Sequence, residues 1–316
     1  MSHELTGGSA TRRTFLKSTV ALSFTKAWAH STGWRKFEVT TRIEVLKPSG
    51  VTRVWVPAAL IAETPFQKTL GNTAGGEGAV TKTVNEKADA MGIVAAEFPP
   101  GVKPVLTVTS RIATRDWVVD FSRPPRPPKA DPAELKHFLR PTMLIPTDGI
   151  VKETADRITN RLAADVDKAR AIYEWIVEST YRRPETRGCG LGNIRFMLES
   201  GDLGGKCADL NALYVGLARA AGLPARDVYG IRIAKSELGY KSLVASSNIV
   251  SKAQHCRAEV YLAEFGWVPV DPADVRKVML EEPPGHRAAE DEMVRKARSR
   301  LFGSWEMNWM AYNFAH

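Results

Sequence analysis

Between residues 34 and 121 apolar and polar positions alternate with a period of two, and beyond residue 130 the period lengthens to that of a helix. Residues 37–45 show the alternation most cleanly, as expected of a strand with one buried face. Residues 51–56, 79–84, 92–98, 105–112 and 117–121 repeat it. Runs of Gly, Pro and Asn separate these segments, and Gly71-Asn72-Thr73-Ala74-Gly75-Gly76 reads as a turn. Short strands at this spacing predict a β-sandwich-like domain over residues 30–122.

Arg123-Pro124-Pro125-Arg126-Pro127-Pro128 suits neither a helix nor a central strand, so residues 123–133 are expected to be an extended linker. Asp131-Pro132 then supplies an N-cap and a first-turn proline. Residues 167–180 place Ala169, Ile172, Tyr173, Ile176 and Val177 at helical spacing, and residues 193–198 predict a further short helix. Residues 207–221 predict a helix rich in small side chains, stopped by Gly222-Leu223-Pro224. Strands are expected at 225–233, 256–262 and 267–270. Helices followed by strands indicate an α+β domain, assigned to residues 134–282, with 283–316 as a C-terminal extension. The chain stops at Asn313-Phe314-Ala315-His316 without a polar tail, an ending compatible with a longer natural chain.

The N-terminus has its own logic. Thr11-Arg12-Arg13-Thr14-Phe15-Leu16-Lys17 resembles the twin-arginine export motif, and a short apolar run and the small-x-small site Ala27-Trp28-Ala29 follow it. Residues 1–29 are therefore expected to be a signal peptide handled by the twin-arginine export machinery. The mature protein is then expected in the periplasm or outside the cell, with no integral membrane segment. The whole chain carries a formal charge of +9, of which residues 1–29 account for +3 (Arg12, Arg13, Lys17 and Lys26 against Glu4), leaving +6. The remaining cations are scattered and lack interleaved aromatics, so no nucleic-acid partner is expected. Three cysteines, at 189, 207 and 256, form an odd set, which in an exported protein leaves at least one free thiol.

Position singles out Cys207. A cysteine nucleophile must ionise, and a helix N-terminus or a nearby cation lowers its pKa from about 8.5. Cys207 stands where Gly204-Gly205-Lys206 gives way to a helix, and the two glycines are read as clearing the way for a substrate backbone. A base and an orienting acid must accompany it. His255 begins one expected strand and Asp271 ends the next, after the tight Glu264-Phe265-Gly266 turn, so antiparallel pairing would make them neighbours.

Gly205-Lys206-Cys207-Ala208-Asp209, with Gly222-Leu223-Pro224-Ala225-Arg226 after its helix, resembles the nucleophile segment of the transglutaminase-like superfamily. His255-Cys256-Arg257-Ala258-Glu259-Val260-Tyr261 and Gly266-Trp267-Val268-Pro269-Val270-Asp271-Pro272 resemble its histidine and aspartate segments, in the same order. The resemblance spans roughly residues 165–275. It implies a papain-like catalytic fold, a Cys-His-Asp triad on Cys207, His255 and Asp271, and acyl-transfer chemistry on amide bonds of a peptide or protein substrate. No cofactor or metal is implied. Cys256 departs from the family pattern beside the histidine and suggests redox sensitivity.

Hydrolysis by an amidase or peptidase is the leading expectation, because exported bacterial members of the superfamily are thought to be mostly of that kind. Protein-glutamine cross-linking and a non-catalytic envelope-binding module are the alternatives. Arylamine-acetyltransferase-like acyl transfer lacks a recognisable donor-binding segment. A zinc site from Cys207, Cys256 and His255 lacks close C-x-x-C spacing, and a Cys189–Cys256 disulfide is a further possibility. Trp305, Trp309 and Tyr312 are read as packing rather than as a sugar platform.

Overall fold

Seven strands form the first part of the chain: β1 (Arg35–Glu44), β2 (Thr52–Pro57), β3 (Gln67–Gly75), β4 (Val80–Glu86), β5 (Met91–Phe98), β6 (Val105–Thr114) and β7 (Trp117–Val118). The computed structural model describes residues 33–127 and 130–316, so the expected signal peptide lies outside the described residues. Two antiparallel three-stranded sheets, β1-β6-β3 and β2-β5-β4, face one another. Val56, Val94, Ala96 and Phe98 from one sheet close a core with Leu106 and Val108 from the other, as the period-two pattern demands.

The turn expected over residues 71–76 is instead the second half of β3. It pairs with β6 from Gln67↔Thr114 to Gly75↔Thr107, with a register shift between Thr69 and Gly71. The turn proper is confined to residues 76–79. A side chain at Gly71 or Gly75 would meet nothing, so those glycines do not mark a crowded turn. Pairing with β6 outweighs their poor strand propensity.

Helices then dominate: α1 (Pro132–His137), α2 (Gly149–Thr159), α3 (Asp165–Ser179), the short strand β8 (Tyr181–Arg182), α4 (Ile194–Ser200), the short strand β9 (Gly204–Gly205) and α5 (Cys207–Ala220). The antiparallel strands β10 (Ala225–Arg232), β11 (Gln254–Leu262) and β12 (Gly266–Val270) follow. After α6 (Pro272–Glu281) and α7 (Glu292–Arg300), the chain closes with β13 (Ser304–Trp305) and β14 (Trp309–Asn313). The fold is α+β, with N-terminal sheets followed by a helix-and-sheet core.

The C-terminal residues are structural rather than appended. Strand β14 completes the four-stranded sheet β12-β11-β10-β14, and β13 pairs with β7 of the first part. Gln67 exchanges two hydrogen bonds with the backbone of Ala311, at 3.0 and 2.7 Å. Trp305 and Trp309 are fully buried beside Leu60 and Phe66, in agreement with a packing role. All described residues belong to one compact unit.

Every residue of α5 is buried, which explains its small-residue composition. Leu210, Leu213, Val215 and Leu217 share a core with Ala258, Val260 and Leu262 of β11. The helix ends in a Schellman motif. Leu223 N donates to Ala218 O at 2.9 Å and Gly222 N to Arg219 O at 3.0 Å, with Gly222 at φ +85°. An added side chain at Gly222 would meet no neighbour, so the cost of replacing it is conformational. Gly222→Ala is expected to destabilise the fold by about 1 kcal/mol, the cost of an L-residue in this region, read as a lower denaturation midpoint.

Candidate active site

Cys207 is the first residue of α5, so its own N–H lacks an intrahelical partner and its sulfur lies at the positive end of the helix. Asp209, in the first turn, ties down the surroundings. Its carboxylate accepts from Lys206 N, Leu191 N and Gly192 N, each at 2.9 Å. This fixes the loop before α4 against the helix start. The two glycines also have a reason inside the protein. A Cβ at Gly205 would meet Asp209 Cβ at 2.5 Å, and one at Gly204 would strike the Tyr181 ring. Both glycines are required by the protein's own packing, whatever they do for a substrate.

Pairing of β11 with β12, in the register Ala258↔Val270, carries His255 and Asp271 together. His255 Nε2 lies 2.7 Å from Asp271 Oδ2. Asp271 is also the N-cap of α6 and accepts from Asp274 N at 3.1 Å. Trp309 Nε1 donates to His255 O at 2.9 Å, so the edge strand β14 holds the histidine backbone. With Nε2 committed to Asp271, Nδ1 is the nitrogen left to face a thiol. Cys207, His255 and Asp271 are all buried.

Four further residues shape this site, and the sequence reading passed over them. Asn211, one turn after Cys207, donates to Cys256 O at 2.8 Å and to Asp271 Oδ1 at 3.2 Å. Asp274 brings a second carboxylate to within 3.4 Å of His255 Nε2. Arg232 grips both oxygens of Asp274 at 2.6 Å. Arg257 lies 3.6 Å from Asp271 Oδ2 and packs over Trp305 and Trp309. Two signals were available: an amide one helical turn after Cys207 in a helix rich in apolar residues, and the Asp-Pro-Ala-Asp spacing at the start of α6.

The charges follow from these contacts. Burial and Arg232 push the His255 pKa down, but the carboxylates of Asp274 and Asp271 outweigh them and hold it at about 9. Burial also raises Asp271, reinforced by Asp274, while His255 and Arg257 oppose the rise. Asp274 is desolvated too, yet Arg232 keeps it firmly ionised. Hydrogen bonds from Cys189 and Cys256 stabilise the Cys207 thiolate and outweigh its burial, and His255 adds to them. Its pKa falls well below that of an ordinary thiol. Cys189 is pushed up to about 12, first by its hydrogen bond to Cys207. Cys207 and His255 thus favour the thiolate and imidazolium forms near neutral pH.

All three cysteines are free thiols, and the Cys189–Cys256 disulfide considered from the sequence is not formed. The site opens through a cleft of about 200 Å³ lined by Arg182, Lys206, Arg232, Lys252 and Lys277, with no acidic side chain in its lining.

Residues 152–272 match the family model described as the transglutaminase-like superfamily. Over 303 residues the chain is 36% identical to an uncharacterized protein of Haemophilus influenzae, an alignment covering 90% of this chain and 81% of that one. The chain belongs to the transglutaminase-like superfamily. Its fold is also similar to the crystal structure of a candidate cysteine protease from Cytophaga hutchinsonii. The TM-score is 0.56 at 17% identity, over 77% of this chain and 78% of the other. The family segment of this transglutaminase-like protein contains Cys207, His255 and Asp271, and the sandwich precedes it.

Asp274→Asn removes a carboxylate that raises His255 and leaves Arg232, which lowers it, without its counter-charge. Both changes act in one direction. The His255 pKa is expected to fall below about 9, read from its ring protons by NMR titration. An unchanged value would contradict the assigned electrostatics.

Proposed function

We propose that this protein is a thiol-dependent hydrolase of amide bonds, with Cys207 as nucleophile, His255 as proton carrier and Asp271 as the group that orients the imidazole. The observation that carries this reading is the 2.7 Å contact of His255 Nε2 with Asp271 beside a thiol at a buried helix N-terminus. The Cys207 sulfur attacks the carbonyl carbon, and the developing oxyanion is met by the Cys207 backbone N–H. His255 gives its proton to the departing amine, leaving a thioester. It then takes a proton from water, which attacks the thioester, releases the acid and restores the thiolate.

The cleft favours a peptide that carries a carboxylate. Arg182 is paired with Glu281 and Arg232 with Asp274, whereas Lys206 and Lys252 have no ion pair among the described residues. Those two lysines are the cations available to a substrate anion. The name of the Cytophaga hutchinsonii neighbour agrees with peptide cleavage. We place the activity outside the cytoplasm on the strength of the twin-arginine motif at Arg12-Arg13.

Iodoacetamide is expected to alkylate Cys207 rapidly even at pH values where a free thiol of pKa about 8.5 is protonated, and Cys207→Ala abolishes the labelling. Labelling no faster than that of an exposed model thiol overturns the activated nucleophile. Mass spectrometry of acidic and neutral peptide libraries, with and without an added amine, then separates the reactions. Water-derived carboxylate products are expected, and amine adducts would assign cross-linking instead.

A further inference from the structure

All three cysteines of the chain meet at one point. Cys189 comes from the loop after β8, Cys207 from the start of α5 and Cys256 from β11, and their sulfurs lie within 4.8 Å of one another. Amide hydrolysis uses one of these sulfurs and leaves two without a task. The cluster is held together by more than proximity. Cys189 O accepts from Ala208 N at 2.9 Å, and Cys256 O accepts from Asn211 Nδ2 at 2.8 Å. Both partner cysteines are therefore tied to the first turns of the helix that carries Cys207. Asp209 fixes the Cys189 loop again through Leu191 and Gly192.

We propose that Cys189, Cys207 and Cys256 form a binding site for one thiophilic d¹⁰ cation, zinc or monovalent copper, and that the ion silences the nucleophile. Metal–sulfur bonds of about 2.3 Å place three ligating sulfurs about 4 Å apart. The observed cluster therefore needs less than about 1 Å of adjustment. Three sulfurs suffice for monovalent copper. Zinc takes a fourth ligand, and the free Nδ1 of His255 supplies the Cys₃His set that zinc accepts. Asp271 on Nε2 then plays the part that carboxylates play behind metal-bound histidines. Binding releases the protons still held by Cys189 and Cys256 and, for zinc, the Nδ1 proton of the His255 imidazolium, and it involves no electron transfer. The cations of the cleft offset the charge of the resulting thiolate cluster. The site itself stands on the three sulfurs, while its inhibitory effect rests on the proposed role of Cys207.

The full chain, stripped with a chelator, is incubated with zinc or with monovalent copper, desalted and analysed for metal. Alkylation of Cys207 is measured in parallel. The expected result is one equivalent of metal per chain and alkylation slowed at least about tenfold, reversed by chelator; Cys189→Ser and Cys256→Ser each weaken retention at least about tenfold. Circular dichroism checks that both variants fold, and Cys189→Ala, on a half-buried loop, serves if a serine variant does not. His255→Ala separates the ions, because it weakens zinc and spares copper. Failure of the wild-type protein to retain either ion, or equal retention by the variants, overturns the proposal. Slow alkylation of the metal-free protein would instead overturn the hydrolase reading and leave the metal result intact.

Discussion

A helix buried on every side makes each unpartnered polar side chain costly, and in α5 the polar side chains find partners inside the protein apart from the Tyr214 hydroxyl. Helix α5 turns that cost into a set of ties. Asp209 gathers the Cys189 loop, Asn211 reaches β11 and the cap of α6, and Arg219 donates to Ala225 O at 2.8 Å and Arg140 O at 2.9 Å. The side chains that make the helix costly to bury are therefore those that locate the neighbouring elements. Cys207 gains a fixed environment because the helix cannot shift without breaking several buried hydrogen bonds at once.

The electrostatics divide between two carboxylates. Asp271 contacts the imidazole and fixes its orientation, while Asp274, gripped by Arg232, supplies a charge that remains ionised. A single carboxylate would have to do both under heavy desolvation, and burial raises Asp271 toward its neutral form. With two, the histidine retains a negative neighbour even when its direct partner is partly neutralised.

Much of this was legible in the chain. The period change near residue 130, the Asp131 cap, the helical stretch at 193–198 and the Gly222 stop marked elements that the structure places within a few residues. The turn between β11 and β12 made the approach of His255 to Asp271 a matter of strand register. What escaped depends on contacts distant in sequence. β3 was hidden because its glycines obey their pairing with β6 rather than their own propensity. The reason for Gly204 and Gly205 lies in Tyr181 and Asp209. The spacing 189, 207, 256 gives no hint of convergence, since a loop, a helix start and a strand deliver the three sulfurs independently.

Strand β14 has a consequence in time. Ribosomes make a chain from its first residue onward, so the sandwich and α5 exist before Trp309 is added. Until then the β10 edge lacks its β14 partner and the His255 carbonyl lacks its indole donor. The thiol and the imidazole are thus synthesised well ahead of the segment that locks them in place. A nascent chain carries the parts of the site without its frame, and β14 acts as the assembly's keystone.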